Sequence, residues 1–345
     1  MHFKERGLIN LAKINNRDYV FATACVRSGE KNMLSHDKIE KMVESKSPED
    51  ALKVLTELEY GAVSEDVSPE EFEKLLTREH KRTYEFVRSI VHDSKYFNLF
   101  LYPSDYHNIK VILKAEFLGT DPEPFFMGSG TIDPQTLLVM VRDRNFVGMT
   151  SNMKDAIEEV LDVFGRTKDP QQVDVILDKA CYKDMSLLAE QSENQYLKGY
   201  VKLLIDTINL RIFVRMRQMN KSWDFFSKVF IEGGNITEKF FIGGYDEPFE
   251  SFAEKLGAYG LSEVLSESAP MLKEKGSFTM LEKMCDNRLM DYVKDSKYKS
   301  FGIEAVVGYI LAKENEIKSA RIIMAGKLAG LPSDRIRERL RESYV

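Results

Sequence analysis

The amino-acid sequence predicts an all-α protein made of three similar helical bundles. Three observations predict this fold class. Capping residues precede several prolines, long proline-free stretches are rich in helix-forming residues, and two short motifs return about one hundred residues further along the chain. A chain of 345 residues can bury a large core, either as two or three domains or as one repetitive body.

Four helix starts are marked by a capping residue followed by proline. The capping side chain accepts a backbone hydrogen bond, and proline fits the first helical position because its missing N–H needs no partner there. The pairs are Ser47-Pro48, Ser68-Pro69, Asp133-Pro134 and Asp169-Pro170. The stretches 171–247 and 271–331 contain no proline and are rich in Leu, Glu, Lys, Met and Ala. We therefore expect almost the whole chain to be helical.

The segment 205–219 shows the helical period most clearly. Apolar side chains recur there at intervals of three and four residues, as on one face of an amphipathic helix. They are Ile205, Ile208, Ile212, Met216 and Met219, and a second stripe consists of Thr207, Arg211, Arg215 and Gln218. We expect the apolar face to be buried and the other face to meet solvent or a partner.

A first motif repeats at a spacing of 104 residues, from 130 to 234. The segment 130–133 (Gly-Thr-Ile-Asp) returns as 234–237 (Gly-Asn-Ile-Thr), and in both copies a capping residue opens a helix. Two further stretches match in the same register: 159–161 with 263–265, and 177–181 with 281–285. Three matches in one register indicate a duplicated unit.

A second motif repeats at a spacing of 101 residues, from 105 to 206. The first copy contains Asp105, Asn108, Lys110 and Lys114, and the second contains Asp206, Asn209, Arg211 and Arg215. A weaker third copy has Lys313 for the aspartate and Glu316 for the asparagine, followed by Lys318 and Arg321. Asparagine is poor inside a helix because its amide competes for backbone hydrogen bonds, so its return predicts a specific amide contact.

The two motifs together predict three successive units, at roughly 1–119, 120–225 and 226–345. Units of this length favour helical bundles over short solenoid repeats, either packed around a pseudo-threefold axis or stacked in a row. A stripe of polar residues should occupy corresponding places in the three bundles: Asn108, Lys110, Asn209, Arg211 and Lys318. It either lines a socket for a partner or locks the packing of the bundles, and packing is the simpler interpretation.

Composition and charge exclude several classes of protein. Lys and Arg number 49 against 55 Asp and Glu, so the net charge of −6 provides no overall positive field for nucleic acid. The longest apolar runs, such as 305–312, fall far short of the ~20 residues of a membrane-spanning helix, and residues 1–7 lack a signal-peptide stretch. Three widely spaced cysteines fit reduced, buried thiols. We expect a cytoplasmic protein that binds no nucleic acid.

The sequence contains no recognisable catalytic or metal motif. The segment 326–328 (Gly-Lys-Leu) lacks the upstream glycine and the hydroxyl of a phosphate-binding loop, and 128–130 lacks the first glycine of a nucleophile elbow. The five histidines all lie in the first unit without metal-ligand spacing. We predict no catalytic residue, metal or cofactor. One enzymatic alternative, a hydrolase using Asp206 with basic neighbours, predicts a deep closed pocket around a perturbed carboxylate.

The C-terminal segment carries regularly spaced charges: Arg335, Arg337, Arg339 and Arg341, with Glu338 and Glu342. Charge pairs three and four residues apart on an exposed helix explain most such patterns. The alternative is that Arg337 and Arg341 face an acidic partner or lipid headgroups.

The chain resembles the C-subunit family of V/A-type (vacuolar/archaeal-type) rotary ATPases, whose eukaryotic relative is the d subunit of the vacuolar ATPase. At the N-terminus the resemblance rests on 19–22 (Tyr-Val-Phe-Ala) with Arg27, Glu30, Leu34 and Ser35, and in the first unit on 105–110. It is most specific near the C-terminus, along 311–321, 326–332 and 335–340. The resemblance covers nearly the whole chain.

This resemblance implies a non-catalytic rotor connector of the central stalk, which links the rotating shaft subunits to the membrane proteolipid ring. The implied shape is a funnel of three helical domains, one copy per complex, peripheral on the cytosolic face of the membrane. Other subunits would couple proton or sodium transport to ATP hydrolysis or synthesis. The candidate partner-binding residues are Asn108, Lys110, Asn209, Arg211, Arg215, Lys318, Arg321, Arg337 and Arg341.

Repeated helical bundles also fit another class of protein, a free-standing scaffold that binds regulatory partners. Purification distinguishes the two. A connector accompanies a membrane ATPase in one copy and is stripped from it without detergent, whereas a scaffold is recovered apart from it.

Overall fold

The structure is a computed structural model that describes residues 16–60 and 67–344. Every regular element within these residues is helical, and they contain no strand. The predicted all-α class is therefore confirmed. The predicted lack of a signal peptide concerns residues 1–7, which lie outside the described residues.

Sixteen α-helices occupy the described residues, joined by loops and short 3-10 turns. In chain order they are α1 (Val20–Gly29), α2 (His36–Glu44), α3 (Pro48–Glu57), α4 (Phe72–Ile90), α5 (Tyr102–Leu118), α6 (Pro134–Arg142), α7 (Ser151–Thr167), α8 (Pro170–Gln191), α9 (Gln195–Gln218), α10 (Trp223–Val229), α11 (Glu238–Gly243), α12 (Phe249–Lys255), α13 (Ser262–Lys275), α14 (Thr279–Lys294), α15 (Ile303–Leu328) and α16 (Ser333–Arg339). Helices α5, α9 and α15 carry the three copies of the second motif.

The prolines mark helix starts as the sequence predicts. Three of the four begin α3, α6 and α8, and the capping side chain before each accepts backbone N–H groups at 2.9–3.2 Å. At the fourth, Pro69 begins a 3-10 turn and α4 starts only at Phe72. The pattern therefore locates the start of helical structure there, but places the α-helix three residues early.

The larger hydrophobic core runs through all three predicted units. Around the C-terminal half of α9 it is strongly aromatic. The ring of Phe213 lies 4.6 Å from Phe252 and 5.3 Å from Phe241, and Phe226 and Tyr245 meet it edge-on at 5.7 and 5.5 Å. Offset and edge-to-face rings stabilise one another beyond the burial of their area. This cluster fixes α9 relative to α10, α11 and α12.

A second core joins the two ends of the described chain. Apolar side chains of α2, α3 and α4 pack there against the C-terminal half of α15 and against α16. The buried residues contributed by the C-terminal side are Ile317, Ala320, Ile323, Met324, Ile336 and Leu340. Helix α15 thus packs on α2, α3 and α4, while α5 packs on α6 and α8 and α9 packs on α8 and α14. The unit bounds and the funnel around a pseudo-threefold axis stay predictions.

The three cysteines are free thiols. Cys181 and Cys285 are buried, as predicted, whereas Cys25 is partly exposed. Burial raises the pKa of the Cys285 thiol to about 12, so this group is protonated and unreactive at neutral pH.

Within the described ranges, each helix is either too short or too polar to cross a bilayer.

Candidate functional site

The first copy of the second motif holds a loop that follows α5. Asn108 is fully buried, and its side-chain amide donates to Met127 O at 2.9 Å while its oxygen accepts from Met127 N at 2.8 Å. One turn earlier on the same helix face, the Asp105 carboxylate accepts from the N–H groups of Thr131 and Ile132 at 3.0 and 3.2 Å. We call this set of contacts the first clamp.

The second copy makes the same contacts with the loop between α10 and α11. Asn209, also fully buried, donates to Ile231 O at 2.7 Å and accepts from Ile231 N at 2.9 Å. Asp206 accepts from the N–H groups of Asn235 and Ile236 at 3.1 and 2.9 Å. This second clamp shows that the repeat in sequence is a repeat of geometry. Both amides predicted to make specific contacts bond the backbone of the chain itself.

Glycine is required inside each clamp because the carboxylate approaches the backbone closely. A Cβ atom at Gly130 would lie 2.0 Å from Asp105 Oδ1, and one at Gly234 would lie 2.2 Å from Asp206 Oδ1. Real Cβ atoms do not approach a neighbour so closely, so any other residue would displace the aspartate carboxylate from its place in the clamp. The repeated Gly-x-Ile motif and the repeated Asp-x-x-Asn motif are therefore two halves of one structure.

The third copy closes a different junction. Glu316, which replaces the asparagine, accepts from the backbone N–H of Leu34 at 2.6 Å, at the loop before α2. Lys313, which replaces the aspartate, lies 2.6 Å from Glu316 Oε1 and 2.7 Å from Glu79 Oε1. All three charged side chains are buried, and we call them the buried triad. The weaker third copy thus keeps the backbone contact and adds an ion cluster.

The charges of the buried triad depend on one another. Burial alone would lower the pKa of the Lys313 ammonium, but Glu316 and Glu79 raise it above its ordinary value. Burial raises the pKa of the Glu316 carboxyl against the opposing effect of Lys313. Such a cluster tolerates loss of Lys313 poorly, because the buried Glu316 carboxylate loses its counter-charge, whereas Glu79 keeps Arg82 at 3.5 Å.

The cations of the motif differ in what they contact. Lys110 bonds Asp178 at 2.5 Å and Lys114 bonds Asp174 at 2.7 Å, so both tie α5 to α8. Lys318 ties α15 to α14 through Asp286. On α9, Arg215 reaches Glu282 at 3.3 Å and stacks over the ring of Phe278. Arg211 makes no ion pair within 4 Å in the described part of the chain.

The remaining predicted cations also bind within the chain. Arg321 pairs with Glu73 through two bonds of 2.7 and 3.0 Å, both side chains being exposed. Arg337 bonds Glu40 at 3.0 Å. The side chain of Arg341 is only 8% exposed and bonds Asp286 at 2.8 Å. Arg341 is therefore a buried link to α14, while Arg337 lies at the surface.

Asp206 and Asp105 are buried carboxylates with raised pKa values, because burial outweighs the N–H groups that stabilise their charge. The hydrolase alternative relies on such a perturbed carboxylate. The oxygens of Asp206 are occupied by the N–H groups of the clamped loop, with the Asn235 amide as a further donor at 2.9 Å. This geometry makes Asp206 a structural residue of the clamp. Within the described residues, no His, Cys, Asp and Glu side chains form a group of three suited to a metal ion.

A groove of about 660 Å³ lies between α8, α9 and α10, with Glu282 of α14 at its edge. We call it the α9 groove. Its apolar floor includes Ile208, Ile212 and Met216 of α9, Met219 directly after α9, and Val175 and Phe225. The predicted apolar face of α9 is thus buried only in part: Ile205 is fully enclosed, but Met219 is 54% exposed. The expectation of complete burial was wrong because α8 and α10 flank this stripe without covering it.

Sequence reasoning missed two parts of these sites. It named Lys313 and Glu316 only as departures from the motif, whereas they form the buried triad with Glu79. It also missed the basic residues that α10 and its preceding loop bring to the α9 groove, Lys221 and Lys228. The stripe of Ile and Met residues on α9 was the one available signal for the groove.

The fold and the clamps define an all-helical protein with a repeated structural feature. In each copy, buried polar side chains of a helix bond the backbone of a loop of the same chain. The chain belongs to the ATP synthase (C/AC39) subunit family, whose model matches residues 22–339. The resemblance found from the sequence motifs is therefore confirmed.

Curated relatives match along most of their length. The chain is 23% identical to the C subunit of the V-type sodium ATPase of Enterococcus hirae, over 92% of this chain and 97% of the relative. It is 24% identical to the C subunit of the A-type ATP synthase of Methanocaldococcus jannaschii, over 93% of this chain and 86% of the relative. The corresponding A-type protein of Pyrococcus furiosus is 23% identical, over 94% and 89%.

Proposed function

We propose that this chain is a non-catalytic connector of a V/A-type rotary ATPase. In this role it sits peripherally on the cytosolic face of the membrane, in one copy, and links the rotating shaft subunits to the proteolipid ring. It carries torque between them, while other subunits couple ATP hydrolysis or synthesis to ion transport. The observation that carries the proposal is the family match, which extends from residue 22 to residue 339.

The packing supports a load-transmitting role. The second core and the Glu316–Leu34 bond tie α15 to the N-terminal helices, so the first and last parts of the described chain are not free to separate. Arg27 adds a further tie, since it donates to Ser296 O at 2.7 Å. Dense interiors resist shear and compression. A body whose ends are packed together transmits a twist with less deformation than an open row of bundles.

The three units 1–119, 120–225 and 226–345 belong to the same proposal. We take them as three helical domains around a pseudo-threefold axis, forming a funnel whose socket receives the shaft. The internal contacts of Asn108, Asn209, Lys110 and Lys318 favour the packing role of the polar stripe. Arg211 and Arg215 border an open groove and are the better candidates for contact with a partner.

Purification from native membranes tests the proposal. An affinity tag at the C-terminus should recover the subunits of one membrane ATPase, with this chain at one copy per complex by quantitative mass spectrometry. Washing at low ionic strength without detergent should release it from the ring. Deleting its gene should leave ATP hydrolysis by the detached soluble part intact while abolishing ion transport.

The scaffold alternative gives a different result in the same experiment. A free-standing scaffold would be recovered with soluble regulatory proteins and without ATPase subunits, and its deletion would leave ion transport unchanged. Either of these two results would overturn the connector proposal.

A further inference from the structure

The α9 groove is lined by more cations than its own carboxylates neutralise. At its edge lie the cations Arg211, Arg215, Lys221 and Lys228, and the carboxylates Asp174 and Glu282. Both carboxylates are already bonded, Asp174 to Lys114 at 2.7 Å and Glu282 to Arg215 at 3.3 Å. Arg211, Lys221 and Lys228 make no ion pair within 4 Å in the described part of the chain. The groove is therefore locally positive on a protein whose net charge is −6.

The repeat provides an internal comparison for Arg211. The equivalent residues of the other copies, Lys110 and Lys318, are bonded to Asp178 and Asp286 respectively. The residue that corresponds to Asp178 at the 104-residue spacing is Glu282, and it bonds Arg215 instead. Asp286 is close enough for Arg211 to lower its pKa, but the two make no ion pair within 4 Å, and Asp286 Oδ2 already bonds Lys318 and Arg341. Of the three equivalent cations, Arg211 is the one without a carboxylate within 4 Å among the described residues.

The shape of the groove fits a helix. The stripe from Ile208 to Met219 extends along roughly 16 Å of α9, at 1.5 Å per residue, which is about the length of three helical turns. Methionine side chains adapt to the surface they meet, and Met216 and Met219 lie at the open end of the stripe. An amphipathic helix binds such grooves through apolar residues spaced three and four apart.

We infer that the α9 groove is a docking site for an acidic amphipathic helix of a partner protein, whose apolar face lies on the α9 stripe and whose carboxylate pairs with Arg211. This inference deepens the proposed function, on which it rests for the source of the helix, since a rotary ATPase would present it on a neighbouring subunit. Lys221 and Lys228 attract the acidic face over longer distances and make binding sensitive to salt.

Fluorescence anisotropy of a labelled peptide provides a direct assay. The probe is a 21-residue synthetic helix that carries fluorescein at its N-terminus, with leucine at the first, fourth and fifth positions of each heptad and glutamate elsewhere. We expect a saturable rise in anisotropy, weakened several-fold between 50 and 300 mM salt. The same peptide with lysine for glutamate should not bind.

Variants assign the effect to the groove. Arg211→Glu should weaken binding at least tenfold and Lys228→Glu about threefold, since each replaces an attraction by a repulsion. Arg142→Glu, on the exposed face of α6, is the matched control and should bind as the parent does. Unfolding curves of Lys228→Glu and Arg142→Glu should superimpose with that of the parent, because neither side chain makes an ion pair in the described part of the chain. Arg211→Gln removes the charge without placing a second carboxylate near Asp286, so it should also weaken binding and keeps the test independent of any loss of stability in Arg211→Glu.

Three results would overturn the inference. The first is absence of saturable binding by the acidic peptide, and the second is equal loss of binding in Arg211→Glu and Arg142→Glu. The third is co-sedimentation of the chain with phosphatidylglycerol vesicles, or its self-association as the protein concentration rises, when either is lost in Arg211→Glu and the peptide does not bind. These results indicate a lipid surface or a second copy as the occupant. All of these measurements use the isolated chain. Their failure is therefore distinct from failure of co-purification with an ATPase, which tests the proposed function.

Discussion

The backbone N–H of Leu34 donates to Glu316 Oε2 at 2.6 Å although 282 residues separate the two in the chain. The corresponding bonds from Met127 to Asn108 and from Ile231 to Asn209 span only 19 and 22 residues. The same kind of bond, from a backbone N–H to a side-chain oxygen, therefore joins neighbouring segments in two places and distant parts of the chain in the third. Each of these junctions makes predictions about stability.

Replacing the buried asparagines by leucine should destabilise the protein unequally. Asn209→Leu leaves both backbone groups of the buried Ile231 without partners, and we expect it to lower the free energy of unfolding by about 2–4 kcal/mol. Asn108→Leu should cost about 1–2 kcal/mol, because water can reach Met127, which is 46% exposed. Urea unfolding followed by circular dichroism measures both values. Gln218→Leu, on the exposed part of α9, is the control; equal costs for all three would contradict a clamp.

Alanine at the clamp glycines should displace the carboxylate. We expect Gly130→Ala and Gly234→Ala each to lower the free energy of unfolding by about 1–3 kcal/mol, because the new methyl group overlaps Asp105 or Asp206. Gly165→Ala, inside α7 and next to open space, should instead stabilise by about 0.5–1 kcal/mol. Melting temperatures of the three variants give the comparison, and a neutral Gly234→Ala would show that the loop moves freely.

Removing the ammonium group of the buried triad should strongly lower the free energy of unfolding. Lys313→Met leaves Glu79 and Glu316 buried around an apolar group, and breaking buried pairs typically costs about 3–5 kcal/mol. A triple variant with Glu79→Met and Glu316→Gln should recover most of this loss, since the glutamine oxygen still accepts from Leu34 N. Guanidinium unfolding of the single and triple variants decides the matter. If the triple variant is no more stable than the single one, charge burial is not the cause.

Acid should weaken the contact between α14 and the C-terminal segment. Burial alone would raise the pKa of Asp286, but Lys318 and Arg341 hold it below the ordinary value. The unfolded chain then binds more protons between the two pKa values, so the stabilisation is complete above the ordinary pKa and is lost as pH falls through the folded one. We expect the stability difference between parent and Asp286→Asn to shrink from pH 6 to pH 3. Asp155→Asn, exposed on α7, should not reproduce this trend.

Charge reversal at the two C-terminal arginines, Arg337 and Arg341, should have different effects on stability. Arg341→Glu places a second carboxylate beside Asp286 in a buried position, and we expect it to lower stability by at least about 2 kcal/mol. Arg337→Glu disrupts surface pairs and should cost about 1 kcal/mol or less. Thermal unfolding of the isolated chain tests both. A partner-binding defect in Arg341→Glu is informative only when its fold is shown to be intact.

The sequence was sufficient for the all-helical class, for three of the four marked helix starts and for the existence of the amide contacts. Proline after a capping residue has a local cause, so α3, α6 and α8 begin where the pattern places them. The return of Asn108 as Asn209 required a specific amide contact, and that contact exists. The loop residue that each asparagine bonds could not be predicted, because the position of a loop depends on how two helices pack.

Long-range pairing accounts for what the sequence left open. The contact of Lys313 with Glu79 joins α15 to α4, and no spacing rule relates residues so far apart. The exposure of Met219 was missed for a similar reason: periodicity shows which residues share a helix face, but not whether another helix covers it. Gly130 and Asp105 each belong to a repeat that is recognisable in the sequence. Their close contact is known only from the fold.

The second core also determines when folding is completed during synthesis. Ribosomes deliver the N-terminus first, so α2, α3 and α4 emerge long before the α15 residues Ile317, Ala320 and Ile323 that cover their apolar faces. Until then the nascent chain exposes a hydrophobic surface of the kind that chaperones bind. A message truncated ahead of α15 should therefore yield an insoluble fragment rather than a smaller folded protein.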